Sequence, residues 1–476
     1  MALKYFDSTR LIIICQILTI AVMLSSCANY RGIQSQKKIA QTSRFQFHKS
    51  LPKQHGKWPS MDWAKQFGDS QLELLIKEAL ANNPSLHAAK ARIEQARSIA
   101  QSKSAALSPH IKWAGEGGPG QFSTNINFPS PFNPSSFTQG AFLFTLNYSL
   151  DFWGKNLSNL KLAIAKENAA KAAEQESRLS IATAVASTYN QLSHYYALRE
   201  VMNRTIIQQE ALHKIAIARL RIGLDTKVQV YNSLNMISTV RRQRLDLDSQ
   251  IRLSRQQLGV LLGAGPDRGL TIKRPRLKKA EAPALPDDLP LNLLGRRPDI
   301  VGARWQVEAT CQGIKHVKAL FYPNVNLVAG GGLLTAGLNH FLLNANAEYI
   351  GPAVSLPIFD GGALRAKLRE QYAYYEEAVA NYDATLNRAF ADVAQQLTAI
   401  QSVDAQLLTQ IEALHAAKRA YHLAKHQYRI GLISQLVMLN TETRYLDEQQ
   451  TRLQLIMNRR NLQIALIKSL GGGFNK

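Results

Sequence analysis

ALRAKLREQYAYYEEAVANYDATLNRAFADVAQQLTAIQSVDAQLLTQIEALHAAKRAYHLAKHQYRI, residues 363–430, contains neither glycine nor proline. The same is true of Lys155 to Ile222. Each stretch is 68 residues long, is opened by glycine (Gly154, Gly362), and runs into an Arg-Ile-Gly-Leu tetrapeptide, Arg221 to Leu224 and Arg429 to Leu432. As a helix, each would extend roughly 100 Å at ~1.5 Å per residue. That is about twice the thickness of a bilayer with its headgroups, and far beyond the ordinary helix of ~11 residues. A chain that builds the same long rod twice is made to span a distance.

The second rod carries coiled-coil phasing. Leu386, Val393, Ile400, Leu407, Leu414, Tyr421 and Tyr428 recur every seven residues, and Phe390, Leu397, Asp404 and Ile411 fill the other seam, with Asp404 its one interruption. Such spacing asks for a partner helix. The segment after the turn supplies a matching stripe in Leu439, Leu446 and Leu453, with Leu436, Met457 and Ile464 from the second seam. The first rod is less regular.

The chain is written twice. Pro84 and Pro298, and Pro109 and Pro323, stand 214 residues apart; the Phe-Trp-Gly at 152–154 and the Phe-Asp-Gly at 359–361 stand 207 apart, and the two Arg-Ile-Gly-Leu turns 208 apart. Leu262-Gly263 and Leu470-Gly471 close the halves, again at 208. The first half carries about seven extra residues between Pro109 and Phe152, the mark of a surface loop. Self-similarity of this period fixes the architecture before any detail does. Each half should hold a helix of about 35 residues ending at Pro109 or Pro323, a β segment, the long rod, a turn, and a returning helix.

The β segments show period-two alternation. From Ala141 to Leu150, Phe142, Phe144, Leu146, Tyr148 and Leu150 alternate with smaller or more polar residues; Ile111, Trp113 and Gly115, and Val325 and Leu327, do the same. Ala353 to Ile358 is a weaker strand, bracketed by Pro352 and Pro357. About ten residues match a tilted membrane strand. Four strands cannot close a barrel, and an open edge in hydrocarbon leaves backbone groups unsatisfied, so several chains must contribute to one barrel. The glycine-rich runs Gly115–Gly120 and Gly330–Gly332 lack a phosphate-loop lysine and read as loops.

The N-terminus has the pattern of an export signal: Lys4 and Arg10, an apolar run from Leu11 to Leu24, then Ser25 and Ser26 before Cys27. Leu24-Ser25-Ser26-Cys27 resembles a bacterial lipobox, which predicts acylation of Cys27; acyl chains in pairs anchor stably. Of the three cysteines, Cys15 lies in the signal and Cys311 is left alone, so no disulfide framework is expected. The formal net charge is +23. In an exported chain this points to solvated helix faces or a positively biased lumen, not to nucleic acid. No catalytic motif is present, and no enzyme activity is expected.

With these residues in hand, the chain resembles the outer-membrane efflux protein family typified by TolC, OprM and NodT, over about Phe67 to Gly472. The most specific pieces are Arg296-Arg297-Pro298-Asp299-Ile300, Ala319-Leu320-Phe321-Tyr322-Pro323, Asp151-Phe152-Trp153-Gly154, and Tyr428 to Ser434. The resemblance implies a mainly α chain with membrane β strands. Its long coiled-coil hairpins form an α-barrel, and its four strands join a trimeric twelve-stranded β-barrel. It implies as partners a periplasmic adaptor, an inner-membrane transporter and outer-membrane lipid, and export of drugs or other small toxic solutes. Polypeptide export and a structural envelope lipoprotein are the alternatives. The expected organisation is a signal peptide over 1–26, an anchored segment over 27–66, repeats over 67–263 and 293–472, a linker over 264–292 and a tail over 473–476.

The resemblance also assigns roles. Arg221, Gly223, Leu224 and Thr226, with Arg429, Gly431, Leu432 and Ser434, form hairpin tips that meet the adaptor; Thr226 and Ser434 are placed to cap the next helix. Carried over by spacing from Gly431, the periplasmic gate falls on Leu436, Asn440 and Thr443, with Arg444 adjoining. Where many relatives have an acid, Asn440 is neutral, which argues against a carboxylate ring. His415, His422 and His426 lie on one side of the second rod; solvent exposure is expected for them rather than a metal.

Overall fold

The computed structural model describes residues 30–40, 58–120, 137–278, 289–337 and 346–474. Cys27 and the expected signal segment lie outside the described residues. In chain order the elements are α1 (Ser70–Asn82), α2 (Pro84–Ala105), β1 (His110–Gly120), β2 (Phe137–Leu150), α3 (Lys155–Arg221), α4 (Lys227–Leu261), α5 (Pro266–Leu270), α6 (Leu289–Arg296), α7 (Pro298–Ala319), β3 (Asn324–Gly337), β4 (Asn346–Ser355), α8 (Ala363–Arg429) and α9 (Gln435–Ser469). Both rods are single helices of 67 residues, and both returning helices have 35.

The 35-residue helix expected before each β segment is divided. Pro84 has no N–H to continue α1, and Asn83 ahead of it adopts an extended ψ of 123°. The Asn83 side chain then accepts from the Ser85 N–H at 2.9 Å and restarts the helix as α2. Arg297 and Pro298 divide α6 from α7 in the same place of the second half. Within the stretch expected as a linker, α5 forms, Ile272 is fully buried, and the Lys278 N–H donates to the Phe67 carbonyl at 2.9 Å.

The chain forms two compact units. One comprises residues 1–39, 93–170 and 303–382. It holds an antiparallel four-stranded sheet in the order β1-β2-β3-β4. Beside it, Ile314, Val317, Phe321 and Leu368 pack with Tyr30, Ile33 and Leu364. β4 occupies Asn346–Ser355, seven residues earlier than the expected Ala353 start, and Pro357 lies beyond it. Pro352 lies in β4, the edge strand of the sheet within one chain, a position where proline is found.

The glycine runs expected as loops are strand interior instead. A Cβ on Gly332 would stand 2.0 Å from the Phe142 carbonyl oxygen, and one on Gly330 would stand 2.3 Å from the Tyr349 ring. Close approach of neighbouring backbone and ring, not a turn, accounts for these glycines. The strands bracket residues 121–136 and 338–345, both outside the described residues, and the extra length of the first half falls in the former.

The second unit comprises residues 40–92, 171–302 and 383–476. Its main core joins Trp63, Phe67, Leu72 and Leu75 to Val185, Tyr189 and Leu192 of α3, Leu258 of α4, and Ile464 and Ile467 of α9. Each fully buried leucine contributes about 1.5–3 kcal/mol. Asp69 ties this core together: its carboxylate caps α1 through the Gln71 N–H (3.0 Å) and accepts from Tyr189 Oη (2.8 Å) and the Arg276 N–H (2.7 Å). Burial, the largest influence, pushes the Tyr189 phenol well above its ordinary pKa.

The seam of α8 is buried at Leu386, Phe390, Val393, Leu397 and Ile400 and opens toward the turn, where Ile411 and Tyr428 are exposed. Asp404, the interruption, pairs with Arg459 of α9, so the polar residue is matched across the hairpin. Gln410 to Glu448 and the stacked rings of Tyr421 and Tyr445, 5.8 Å apart, continue the zipper.

Candidate functional site: a two-faced sheet and two helical tips

In the first unit, strand register decides what each face offers. One row across all four strands reads Ile111, Leu146, Ala329, Ile350; the next on that face reads Trp113, Phe144, Gly331, Glu348. Leu150, Val325 and Val354 extend it. The intervening rows read His110, Asn147, Val328, Gly351 and Lys112, Thr145, Gly330, Tyr349. One face is apolar except for Glu348 on β4, and the other is largely polar or small. The apolar face is open: Ile111 is 69 % exposed, Phe144 58 % and Ile350 78 %. An antiparallel sheet in water turns its apolar face to a core; this one leaves its apolar face uncovered, the pattern of a strand set in lipid. Among the described residues no helix is long and apolar enough to cross a membrane.

The motif Asp151-Phe152-Trp153-Gly154 sits where β2 hands over to α3. The Asp151 carboxylate accepts from the N–H groups of Asn156 (3.0 Å) and Leu157 (2.8 Å), capping the long helix. Asp360 does the same for α8 through Gly362 (3.0 Å) and Leu364 (2.7 Å), and the Leu364 bond foremost lowers its carboxyl pKa. The two aspartates are not equivalent in the repeat, being offset by two residues, so the shared role falls on different positions of the aligned halves. An aspartate just ahead of a glycine-free run was the available signal. Trp153 stacks on Tyr322 at 4.6 Å and donates its Nε1–H to the Pro323 carbonyl at 3.0 Å, joining two motifs that lie far apart in sequence.

In the second unit the tips repeat one geometry. The Gly223 N–H donates to the Leu220 carbonyl (3.1 Å) and the Leu224 N–H to that of Arg219 (2.9 Å). At the other tip Gly431 donates to Tyr428 (3.1 Å) and Leu432 to Gln427 (2.9 Å). These are paired helix-ending bonds closed by a left-handed residue, with φ +74° at Gly223 and +77° at Gly431. A Cβ at either glycine would touch nothing within 4 Å, so conformation rather than space selects glycine.

Ser434 caps α9 by accepting from the Val437 N–H, but Thr226 makes no side-chain cap to α4. At the first tip Arg219 holds the turn, bonding Asp225 at 2.9 Å and the Leu224 carbonyl at 3.3 Å. The second tip has Gln427 and Ile433 at those positions. Arg221, Gly223, Leu224 and Thr226 are exposed, as are Arg429, Gly431, Leu432 and Ser434. Each tip therefore presents an apolar knob: Ile222 and Leu224 on one, Ile430 and Leu432 on the other. Beneath them Ala211, Leu212 and Ile215 of α3 pack with Ala424 of α8 and Met438 and Leu439 of α9.

Just beyond the second tip, Asn440 and Arg444 are exposed and Leu436 is half-buried. Thr443 is turned onto α3: its hydroxyl accepts from Gln208 Nε2 at 2.6 Å, and Gln208 also donates to the Leu439 carbonyl at 2.9 Å. His415, His422 and His426 are all exposed, and among the described residues no group of three or more His, Cys, Asp or Glu side chains is arranged for a metal ion.

The comparisons with known proteins fall on the same features. The family described as Outer membrane efflux protein matches residues 75–264 and 289–472. Multidrug resistance outer membrane protein MdtP of Escherichia coli (strain K12) is 28% identical over 473 residues, 97% of this chain and 96% of that protein. Fusaric acid resistance protein FusA of Burkholderia cepacia is 36% identical over 315 residues, 65% of this chain but only 59% of FusA. Among solved structures, the outer membrane protein VceC of Vibrio cholerae superposes with a TM-score of 0.79 at 33% identity, over 88% of this chain and 100% of VceC. With both halves matched and the fold shared along nearly its whole length, the chain belongs to the outer membrane efflux protein family.

Proposed function

We propose that three copies of this chain close a twelve-stranded barrel in the outer membrane, lengthened into the periplasm by their helical hairpins. The assembly is a passive duct through which an inner-membrane transporter and a periplasmic adaptor expel small toxic compounds. The observation that carries this reading is the two-faced sheet, whose apolar face and open β1 and β4 edges suit neither water nor a single chain. Relatives named for multidrug and fusaric acid resistance support small organic solutes as the cargo. Acylation at Cys27 supplies a second attachment to the membrane. The exposed tips, Arg221 to Thr226 and Arg429 to Ser434, meet the adaptor. Leu436 and Asn440, with Arg444 beside them, form the periplasmic constriction, while Thr443 holds its helix against Gln208.

The test is electrical and then cellular. The purified protein in planar bilayers should give discrete, long-lived conductance steps. Deleting its gene should sensitise cells to several drugs, with resistance restored by the intact gene. A protein that inserts without conducting would refute the duct.

A further inference from the structure

Four permanent cations, Lys418, Arg419, Lys425 and Arg429, are interleaved with His415, His422 and His426 along the last four turns of α8. All seven side chains are exposed. Their spacing is heptad: 415, 422 and 429 share one position, 418 and 425 a second, 419 and 426 a third. They therefore occupy one continuous stripe about 20 Å long. No acidic residue occurs between His415 and Arg429. Glu412 lies just upstream, and Glu442 of α9 is turned to the Tyr421 hydroxyl. Among the described residues none of the seven is ion-paired; Lys425 lies 6.0 Å from the Tyr421 ring.

The duplicated half provides an internal control. The residues 208 positions earlier are Ile207, Glu210, Ala211, Lys214, Ile217, Ala218 and Arg221. Two of these seven are basic and one is acidic, and Ile207 is exposed. One scaffold thus carries a basic stripe in one copy and a mixed, partly apolar face in the other. Like charges one helical turn apart destabilise a helix, and solvation of a rod needs no such one-sided concentration.

We infer that this stripe is the docking face for an acidic, α-helical segment of the periplasmic partner that engages the second hairpin. The inference rests on the reading that the tips meet such a partner, and adds its chemistry. Glutamates or aspartates at heptad spacing on one side of a helix would face the stripe turn by turn. By helix rise, Lys418 and Arg419, and likewise Lys425 and Arg429, stand within a Debye length of about 8 Å along the axis, so each pair acts on such a helix together.

Two synthetic helical-hairpin peptides test this, one with glutamates at heptad spacing along one face and a twin with glutamines. Binding to the full-length protein in detergent is followed by fluorescence anisotropy. The glutamate peptide should bind the wild type about tenfold tighter than its twin at low salt, with the advantage shrinking as salt is raised. Lys418→Gln/Arg419→Gln/Lys425→Gln should abolish that advantage, whereas Lys214→Gln on the first hairpin should leave it. Equal binding of the two peptides, or an undiminished preference in the triple variant, would overturn the proposal. So would a shift of the bilayer reversal potential toward cations in the triple variant, since the stripe would then face permeating ions. A wild-type protein that fails to conduct removes the duct itself; a conducting pore without glutamate preference removes only the stripe's role.

Discussion

Replacing Arg297 with methionine should destabilise the helical unit, and in a pH-dependent way. The Arg297 side chain is 9% exposed. It bonds Asp299 through both ends of its fork, at 3.0 and 2.6 Å, and reaches Asp392 at 3.3 Å and the Ser469 carbonyl at 3.3 Å. Burial alone would push its pKa down; the two carboxylates outweigh burial and hold it above the ordinary value. Asp392 is 39% exposed, so its contact contributes little. The buried bidentate pair dominates, and breaking such a pair costs about 3 kcal/mol or more.

At ~2.1 cal/mol/K per residue, the midpoint for cooperative unfolding of the roughly 450 residues that follow the signal segment would then shift by about 3 °C. Glu176 lines the same cavity, its pKa raised first by burial and then by Asp299. A carboxyl whose folded pKa is raised lends stability below its unfolded pKa and loses it as pH rises through the folded one. Without the arginine the acids repel at pH 7 and are relieved on protonation, so the deficit should shrink near pH 4.5. Thermal melts by circular dichroism in detergent at both pH values measure this. A deficit absent at pH 7, or undiminished at the lower pH, would refute the reasoning.

Cys27→Ser should give a chain that incorporates no labelled palmitate and is misprocessed; absence of label from the wild type would exclude acylation. Gly431→Pro removes an N–H bonded to Tyr428 and forbids the positive φ, so cells should become drug-sensitive while the protein still reaches the outer membrane; full resistance would argue against a tip role. Leu436→Ala with Asn440→Ala should raise resting conductance in planar bilayers. Asn440→Asp should create block by divalent cations from the periplasmic side, because three like charges brought close together reinforce one another; strong block already present in the wild type would displace the gate.

Much of this was legible because the strongest signals are periodic. The seven-residue recurrence from Leu386 to Tyr428 located α8 and its seam, and the glycine of each Arg-Ile-Gly-Leu turn stands two residues past the helix end. Alternation from Phe142 to Leu150 gave β2 and its apolar face. What remained hidden depends on neighbours distant in sequence. Gly330 and Gly332 look like loop residues until Tyr349 and the Phe142 carbonyl are brought against them. Pro352 argues against a strand until β4 proves to be an edge. Thr443 could be placed by spacing, yet its hydroxyl is committed to Gln208 of another helix.

The duplication explains why some residues are shared between the halves and others are not. Residues that close a turn are constrained by backbone geometry, which both copies must satisfy, so Gly223 and Gly431 keep positive φ and the same bonded pattern. Residues that stabilise the turn from outside are free to differ: Arg219 and Asp225 pair at one tip, while at the other Ile433 packs into the apolar cluster with Met438 and Leu439. Exposed faces are freer still, since neither packing nor backbone bonding fixes them. Divergence there is where two copies of one hairpin can acquire different partners, and along the stripe from His415 to Arg429 the charge of α8 differs from that of α3. Geometry common to both tips therefore speaks to how the hairpins turn, and charge confined to one of them to what that hairpin meets.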